Sequence, residues 1–374
     1  MWTHRYLGRI DFKILLIIVF LMVISLAIIS SMSSGYDEGI LFTPLTIKQI
    51  QHFCIGWGLF FFFAGFDYHK LREWTWIFYA VSLFLLIGLY LASPIQNVQR
   101  WFRVPIIGLN FQPSEMAKLA VLLTLAWFLE KKAESSHTLS TAWGVFWIVG
   151  IPFLLILKQP DLGTAIVLIP FTLCMGYLGG MHERLLKYIV LIVTCFFLLL
   201  SSIFIGILPH SQMKPVMLKF LKPYQYERLN PDTYHQRASQ VAISLGGGLG
   251  EGWKKSEFSR RKYLPASTTD SVFPAFCEEF GFLGAGLLLM LYFFLIYSCM
   301  QAGFSCKDRF GRYLATGIAI YLAMHILVNI AMMCGFLPIT GVPLVLLTYG
   351  GSSIMTTMIA LGIIQSIYSR RFMF

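Results

Sequence analysis

FKILLIIVFLMVISLAIISSM, residues 12–32, decides the fold class. A helix needs about 20 apolar residues to cross a hydrocarbon core, and this run supplies them with one charge, Lys13, at its edge. Arg5, Arg9 and Lys13 around its start have the look of a signal peptide. The run exceeds the ~7–15 residues of a signal core, however, and Ser33-Ser34-Gly35 is a poor cleavage site, so a retained helix is expected.

Nine further runs follow, at approximately 48–66, 74–92, 114–130, 142–158, 162–181, 185–208, 274–302, 313–335 and 348–368. The expectation is an all-α polytopic membrane protein of about ten transmembrane helices, with one large extracytoplasmic loop, 209–270, between helices 7 and 8, all in a single unit over 1–374. Only Gln159-Pro160-Asp161 separates the fifth and sixth runs; Pro160 cannot continue a helix and Asp161 is a good N-cap, which reads as a tight hairpin.

Composition agrees. Of 374 residues 57% are hydrophobic and 13% charged, against roughly 25% charged in soluble domains. The net charge of +11 could indicate a nucleic-acid partner, but its distribution gives another reason for it. With both termini inside, 14 of the 29 Lys and Arg fall on inside loops or ends, and every short inside loop carries at least two, while the 336–347 loop has none. Ten more lie in 209–270, and long translocated loops largely escape the positive-inside rule. The charge therefore answers to the head groups of cytoplasmic membrane lipids, with no nucleic acid required. The seven cysteines form no CxxC pair and read as small hydrophobes.

The 62-residue stretch Pro209–Asp270 is too long for a plain connection and too rich in apolar residues for a solvated one, so a folded, functional loop is expected. Ionisable groups at membrane depth are functional candidates by default. Glu115 and Lys118 share a helical face after Gln112-Pro113-Ser114, as an ion pair at a helix entrance or as part of a site. Asp161 reads first as a helix cap, Arg100 as a membrane anchor, and Asp270 as either a cap or a catalytic carboxylate. Glu278 and Glu279 are adjacent carboxylates inside a span and need partners. The glycine-dense 244–252 stretch is neither a P-loop nor a dinucleotide fingerprint; it permits a tight backbone course near a ligand. His325 and Asn329, one turn apart, read as interhelical hydrogen-bonding groups. No metal-ligand cluster or cofactor motif is evident.

These residues together resemble the SEDS family, the shape, elongation, division and sporulation proteins of bacteria. The likeness is carried by Leu337-Pro338-Ile339-Thr340-Gly341-Val342-Pro343-Leu344 and Thr348-Tyr349-Gly350-Gly351-Ser352-Ser353. Arg100-Trp101, Gln112-Pro113-Ser114-Glu115 with Lys118, and Gln159-Pro160-Asp161-Leu162-Gly163-Thr164 continue it. So do Tyr224-Gln225 with Arg228, the glycine stretch, Leu264-Pro265, Thr269-Asp270 and Glu278-Glu279-Phe280-Gly281-Phe282, nearly end to end and in order. Thr340-Gly341-Val342-Pro343 is similar to the elongation branch rather than the division branch. Departures fall at Ala266, commonly Glu, at Ser271, commonly aromatic, at Thr348, commonly Ser, and in a shortened 230–236; they bear on loop shape and on partner or substrate detail.

The resemblance implies a peptidoglycan glycosyltransferase that polymerises lipid II at the outer face of the cytoplasmic membrane, releases undecaprenyl pyrophosphate by inverting transfer, and works with a class B penicillin-binding protein transpeptidase. It implies Asp270 as general base, Arg100 and Lys118 at the pyrophosphate with Glu115 orienting Lys118, and Asp161, Glu278 and Glu279 in support. The sequence leaves open whether a divalent cation assists at the pyrophosphate. Two competing readings are a lipid II flippase, which lacks the expected inverted repeat and matched broken helices, and a non-enzymatic scaffold, for which Asp270 and Glu115 would be dispensable.

Overall fold

The computed structural model describes residues 8–34, 41–91, 100–104, 109–159, 161–208, 214, 215, 218, 226, 230 and 232–372. Arg5, Gly35, Pro160, Tyr224, Gln225 and Arg228, all singled out in the sequence, lie outside these residues.

Each of the ten apolar runs is a helix. They are α1 (Phe12–Ser33), α2 (Pro44–Gly65), α4 (Thr75–Gly88), α5 (Pro113–Lys131), α6 (Leu139–Lys158), α7 (Leu162–Leu178) and α8 (Glu183–Phe204), then α11 (Val272–Phe304), α12 (Arg309–Met333) and α13 (Gly351–Arg370). Six of them are both long and apolar enough to cross a membrane on those grounds alone; α4 and α7 are shorter apolar helices. The polar first turns of α2 and the charges of α5 dilute their hydropathy. Local chemistry sets the starts: Asp11, Thr43, Thr138, Asp161 and Asp308 each accept a first-turn N–H. α2 begins four residues before its apolar run because Thr43 caps it and Pro44 occupies its first position.

Between these helices lie pieces that an apolar pattern does not announce. A short helix, α3 (Tyr68–Glu73), precedes α4, and an antiparallel ribbon of β1 (Phe102–Val104) and β2 (Leu109–Phe111) precedes α5. The loop before α11 carries α9 (Tyr234–Leu245) and a single turn, α10 (Glu257–Arg260).

In the bundle, α13 packs along α2, and α12 lies against α11, α5 and α7. α8 leans on α7 at the rim with most of its surface outward. α11 is interrupted at Gly281, which has φ +63° and ψ −165°, so two helical pieces meet there. The glycine stretch fills the break. Glu251 and Gly252 donate their N–H groups to the carbonyls of Glu278 and Glu279 (both 2.9 Å), and Phe282 and Leu283 donate to Gly247 and Gly248 (2.9 and 3.1 Å). A β-carbon on Gly246, Gly250 or Gly281 would run into the facing backbone, which explains the glycine density as helix-to-loop packing rather than as a phosphate cradle.

Candidate active site

Asp270 is the last loop residue but one before α11. The three carbonyls around it are pinned: Thr268 accepts from the Tyr349 N–H (2.9 Å), Thr269 from Thr348 Oγ1 (3.2 Å) and Asp270 from Asn329 Nδ2 (3.1 Å). With its main chain held, the half-buried side chain has a defined direction. A β-carbon on Gly341 would lie 3.4 Å from Asp270 Oδ2, so the Thr340-Gly341 turn runs beside the carboxylate. Burial pushes the Asp270 carboxyl up from the usual carboxylate range; the Arg100 guanidinium pulls it down and the Asp161 carboxylate adds to the rise. Charges at Arg100 and Asp161 are thus both felt at Asp270.

Asp161 is buried and does more than cap α7. Its Oδ2 accepts from Gln112 Nε2 (3.1 Å), Ser114 Oγ (3.2 Å) and Thr164 Oγ1 (3.0 Å). The N-terminus of α5 is thereby tied to that of α7. Arg100 Nε donates to the Gln159 carbonyl (3.2 Å), which sets the guanidinium beside the same turn. Gly163 packs so closely on Thr340 that a β-carbon would come within 2.8 Å of its carbonyl oxygen, joining this turn to the Asp270 side.

Glu115 and Lys118 form the ion pair that their spacing allows, at 2.8 Å and fully buried. Lys118 Nζ also lies 2.8 Å from His325 Nε2 and 5.4 Å from the Tyr321 ring centroid, while Glu115 Oε2 has no partner. His325 and Asn329 stand one turn apart on α12, so one helix face touches Lys118 and holds the Asp270 main chain. Sequence reasoning gave His325 and Asn329 no place in the site; nothing local distinguishes them from other polar groups in a span. Gln112, Ser114 and His235 were likewise not singled out for it. His235 Nε2 lies 2.6 Å from Ser271 Oγ at the start of α11, and burial pushes its imidazole down from the usual range.

Glu278 and Glu279 stand apart from this group. Glu278 accepts from the N–H groups of Phe258 (2.9 Å) and Ser259 (3.0 Å) and from Ser259 Oγ, so it fastens the first turn of α10. Glu279 accepts from Ser256 Oγ (3.1 Å), the Lys254 N–H (3.2 Å) and Ser31 Oγ. These two carboxylates hold the loop to the bundle.

The fold and these positions can be set beside known proteins. Residues 8–371 match the FtsW/RodA/SpoVE family, described as cell cycle protein. Helicobacter pylori peptidoglycan glycosyltransferase MrdB is 35% identical over 347 residues, covering 88% of this chain and 84% of that one. The Escherichia coli K12 protein of the same name is 32% identical over 97% of this chain and 94% of its own. Treponema pallidum peptidoglycan glycosyltransferase RodA is 31% identical over 98% and 100%. A chain from a structure on the coordination of polymerization and crosslinking by a peptidoglycan synthase complex superposes with TM-score 0.76 at 26% identity, covering 97% of this chain and 98% of that one. The crystal structure of the Thermus thermophilus rod shape determining protein RodA shares the fold, with TM-score 0.68 at 24% identity and the same coverage.

Proposed function

The chain belongs to the FtsW/RodA/SpoVE family, and on that premise we propose that it is a peptidoglycan glycosyltransferase that polymerises lipid II for wall elongation, with Asp270 as its general base. The observation that carries the activity is the near end-to-end correspondence, at 31–35% identity, with proteins named for it. The Asp270 setting supplies the chemistry.

In the reaction, the C4 hydroxyl of an acceptor GlcNAc attacks C1 of a donor MurNAc. The hydroxyl proton passes to the Asp270 carboxylate, the bond from C1 to the diphosphate oxygen breaks, and undecaprenyl diphosphate leaves with the electron pair. One displacement turns the α-linked donor into a β-linked product. A raised carboxyl pKa suits a base, since proton transfer is most effective when the pKa lies nearer the working pH; such catalysis typically contributes about 10²–10⁴-fold. Arg100 is placed to face the negative charge that develops as the diphosphate departs. Lys118 spends two of its three N–H groups on Glu115 and His325, and its charge at membrane depth acts in the same sense. Asp161 keeps the ends of α5 and α7 together.

The lipid-linked nature of both substrates is supported by an apolar groove between α2, α4, α5 and α13. Phe63, Phe78, Leu85, Met116 and Ile359 line it, and it reaches β2 at Phe111. A polyprenyl tail fits such a lining. We place both termini inside and the loop outside, from the distribution of Lys and Arg. The likeness to a chain of a synthase complex that couples polymerization with crosslinking supports a transpeptidase partner, a class B penicillin-binding protein.

The test is reconstitution of the purified chain with lipid II, with and without that transpeptidase. Wild type should yield glycan strands on a gel and Asp270→Asn none, while both bind the partner. Strands of normal length from Asp270→Asn would remove the carboxylate from its assigned role.

A further inference from the structure

Tyr321, His325 and Asn329 occupy successive turns on one face of α12, and all three are buried. The first two enclose the Lys118 ammonium. That group is fully buried, 2.8 Å from Glu115 Oε1, 2.8 Å from His325 Nε2 and 5.4 Å from the Tyr321 ring centroid. An ammonium has three N–H donors and no acceptor, so His325 Nε2 must accept and the ring proton sits on Nδ1. His325 also hydrogen-bonds the backbone of Pro343. Proline offers only a carbonyl there, so Nδ1–H donates to it. Both ring nitrogens are used and the ring is neutral. It adds no charge to the Glu115–Lys118 pair; it fixes a direction.

That direction is visible at Glu115. Its carboxylate meets Lys118 through Oε1 only, and the buried Oε2 has no hydrogen-bond partner among the described residues. A buried carboxylate oxygen left without a partner is costly. A lysine held by Glu115 alone would therefore turn toward Oε2 and centre its charge on the carboxylate. The bond to His325, from a different helix, holds it off.

The same face of α12 holds the Asp270 side. Asn329, four residues and roughly 6 Å further along the helix, donates through Nδ2 to the carbonyls of Asp270 (3.1 Å) and Val342 (2.7 Å). Val342 and Pro343 directly follow the Thr340-Gly341 turn that runs beside the Asp270 carboxylate. Their two successive carbonyls are gripped by Asn329 and His325. One helix thus registers a buried cation against the carboxylate and its neighbouring turn.

We propose that His325 is a positioning residue for the glycosyl transfer: its neutral ring holds the Lys118 ammonium off the second oxygen of Glu115 and in register with Asp270, which leaves the charge available to the departing diphosphate. This rests on the glycosyltransferase reading and deepens it, since His325 acts on the reaction only through Lys118. A glutamine could take its place, with a carbonyl to accept from Lys118 and an N–H to donate to Pro343. A leucine of similar bulk could do neither.

The test measures the affinity of the full-length protein in nanodiscs for undecaprenyl diphosphate. His325→Leu should weaken binding about tenfold or more, as for loss of a hydrogen bond to a charged group, and His325→Gln should regain most of it. In the Lys118→Met, Glu115→Leu background, itself weakened, His325→Leu should weaken binding no further. A histidine that only supports the fold would cost the same in both backgrounds. Wild-type affinity in His325→Leu, an equal loss in His325→Gln, or an equal further loss in the uncharged background overturns the proposal. His325→Met, whose thioether accepts weakly, takes the place of His325→Leu if that variant does not fold. If the affinities follow the expected pattern but wild type makes no glycan from lipid II, the glycosyltransferase reading fails and the positioning of Lys118 stands.

Discussion

At Asp270 two demands oppose each other. Burial raises its carboxyl pKa, which makes ionisation harder in the folded protein than in the unfolded chain, whereas a general base must be ionised. The stabilising contribution of a group with a raised folded pKa is present at low pH and is lost as pH rises through that value. Asp270→Asn, always neutral, should therefore melt above wild type at pH 8, with the gap closing in acid, as followed by thermal denaturation in detergent. Turnover should rise with pH along an acid limb displaced above that of an ordinary carboxylate near 4. Arg100→Ala removes the charge that lowers the Asp270 pKa, so it should move that limb further up. Lys118 makes a second case. Removing it leaves Glu115 buried and unpaired at a cost of about 3–5 kcal/mol, so Lys118→Ala should cripple glycan synthesis and lower the melting point, while Lys132→Ala at the far end of α5 should do neither. The double variant Lys118→Met, Glu115→Leu should regain stability without regaining turnover; if turnover returns as well, the pair is structural only. The residues expected to matter were legible because each broke a local rule, a charge in a span or a carboxylate at a helix start. His325 and Asn329 break no such rule. Their meaning comes from what the bundle sets beside them.

At the scale of elements, the glycine stretch and the interrupted α11 form one device. Four main-chain hydrogen bonds cross between them and serve backbone groups that the interruption would leave without partners. Gly250 has φ +83° and abuts the Glu279 carbonyl; Gly248 has open space around it and no left-handed φ. Gly250→Ala should cost about 2 kcal/mol or more and Gly248→Ala next to nothing, by melting temperature and by protease sensitivity of the loop. Similar losses in both would mean that the stretch tolerates or resists side chains for another reason. The ten helices could be read in advance because an apolar run of the right length admits few other structures. The break at Gly281, the ribbon at 102–111 and the helices within the loop could not, since each depends on a partner distant in sequence.

For the whole molecule, the proposed orientation follows the distribution of Lys and Arg. In a variant whose seven native cysteines are replaced, a cysteine at exposed Lys255 should react with a membrane-impermeant maleimide on intact cells, and one at exposed Lys307 only after lysis. The reverse pattern would invert the protein and put the Asp270 carboxylate on the inner face. Glu278 and Glu279, whose carboxylates fasten the 254–259 segment, also impose an order on biogenesis. The ribosome makes the held segment before its holders, and about 25 residues at ~5–20 per second separate them. For about a second or more the nascent strand emerges with its donors wet. On the proposed orientation, that segment can set only after the eighth span has entered the lipid, so a translocation arrest at that point would leave it open to extracellular proteolysis.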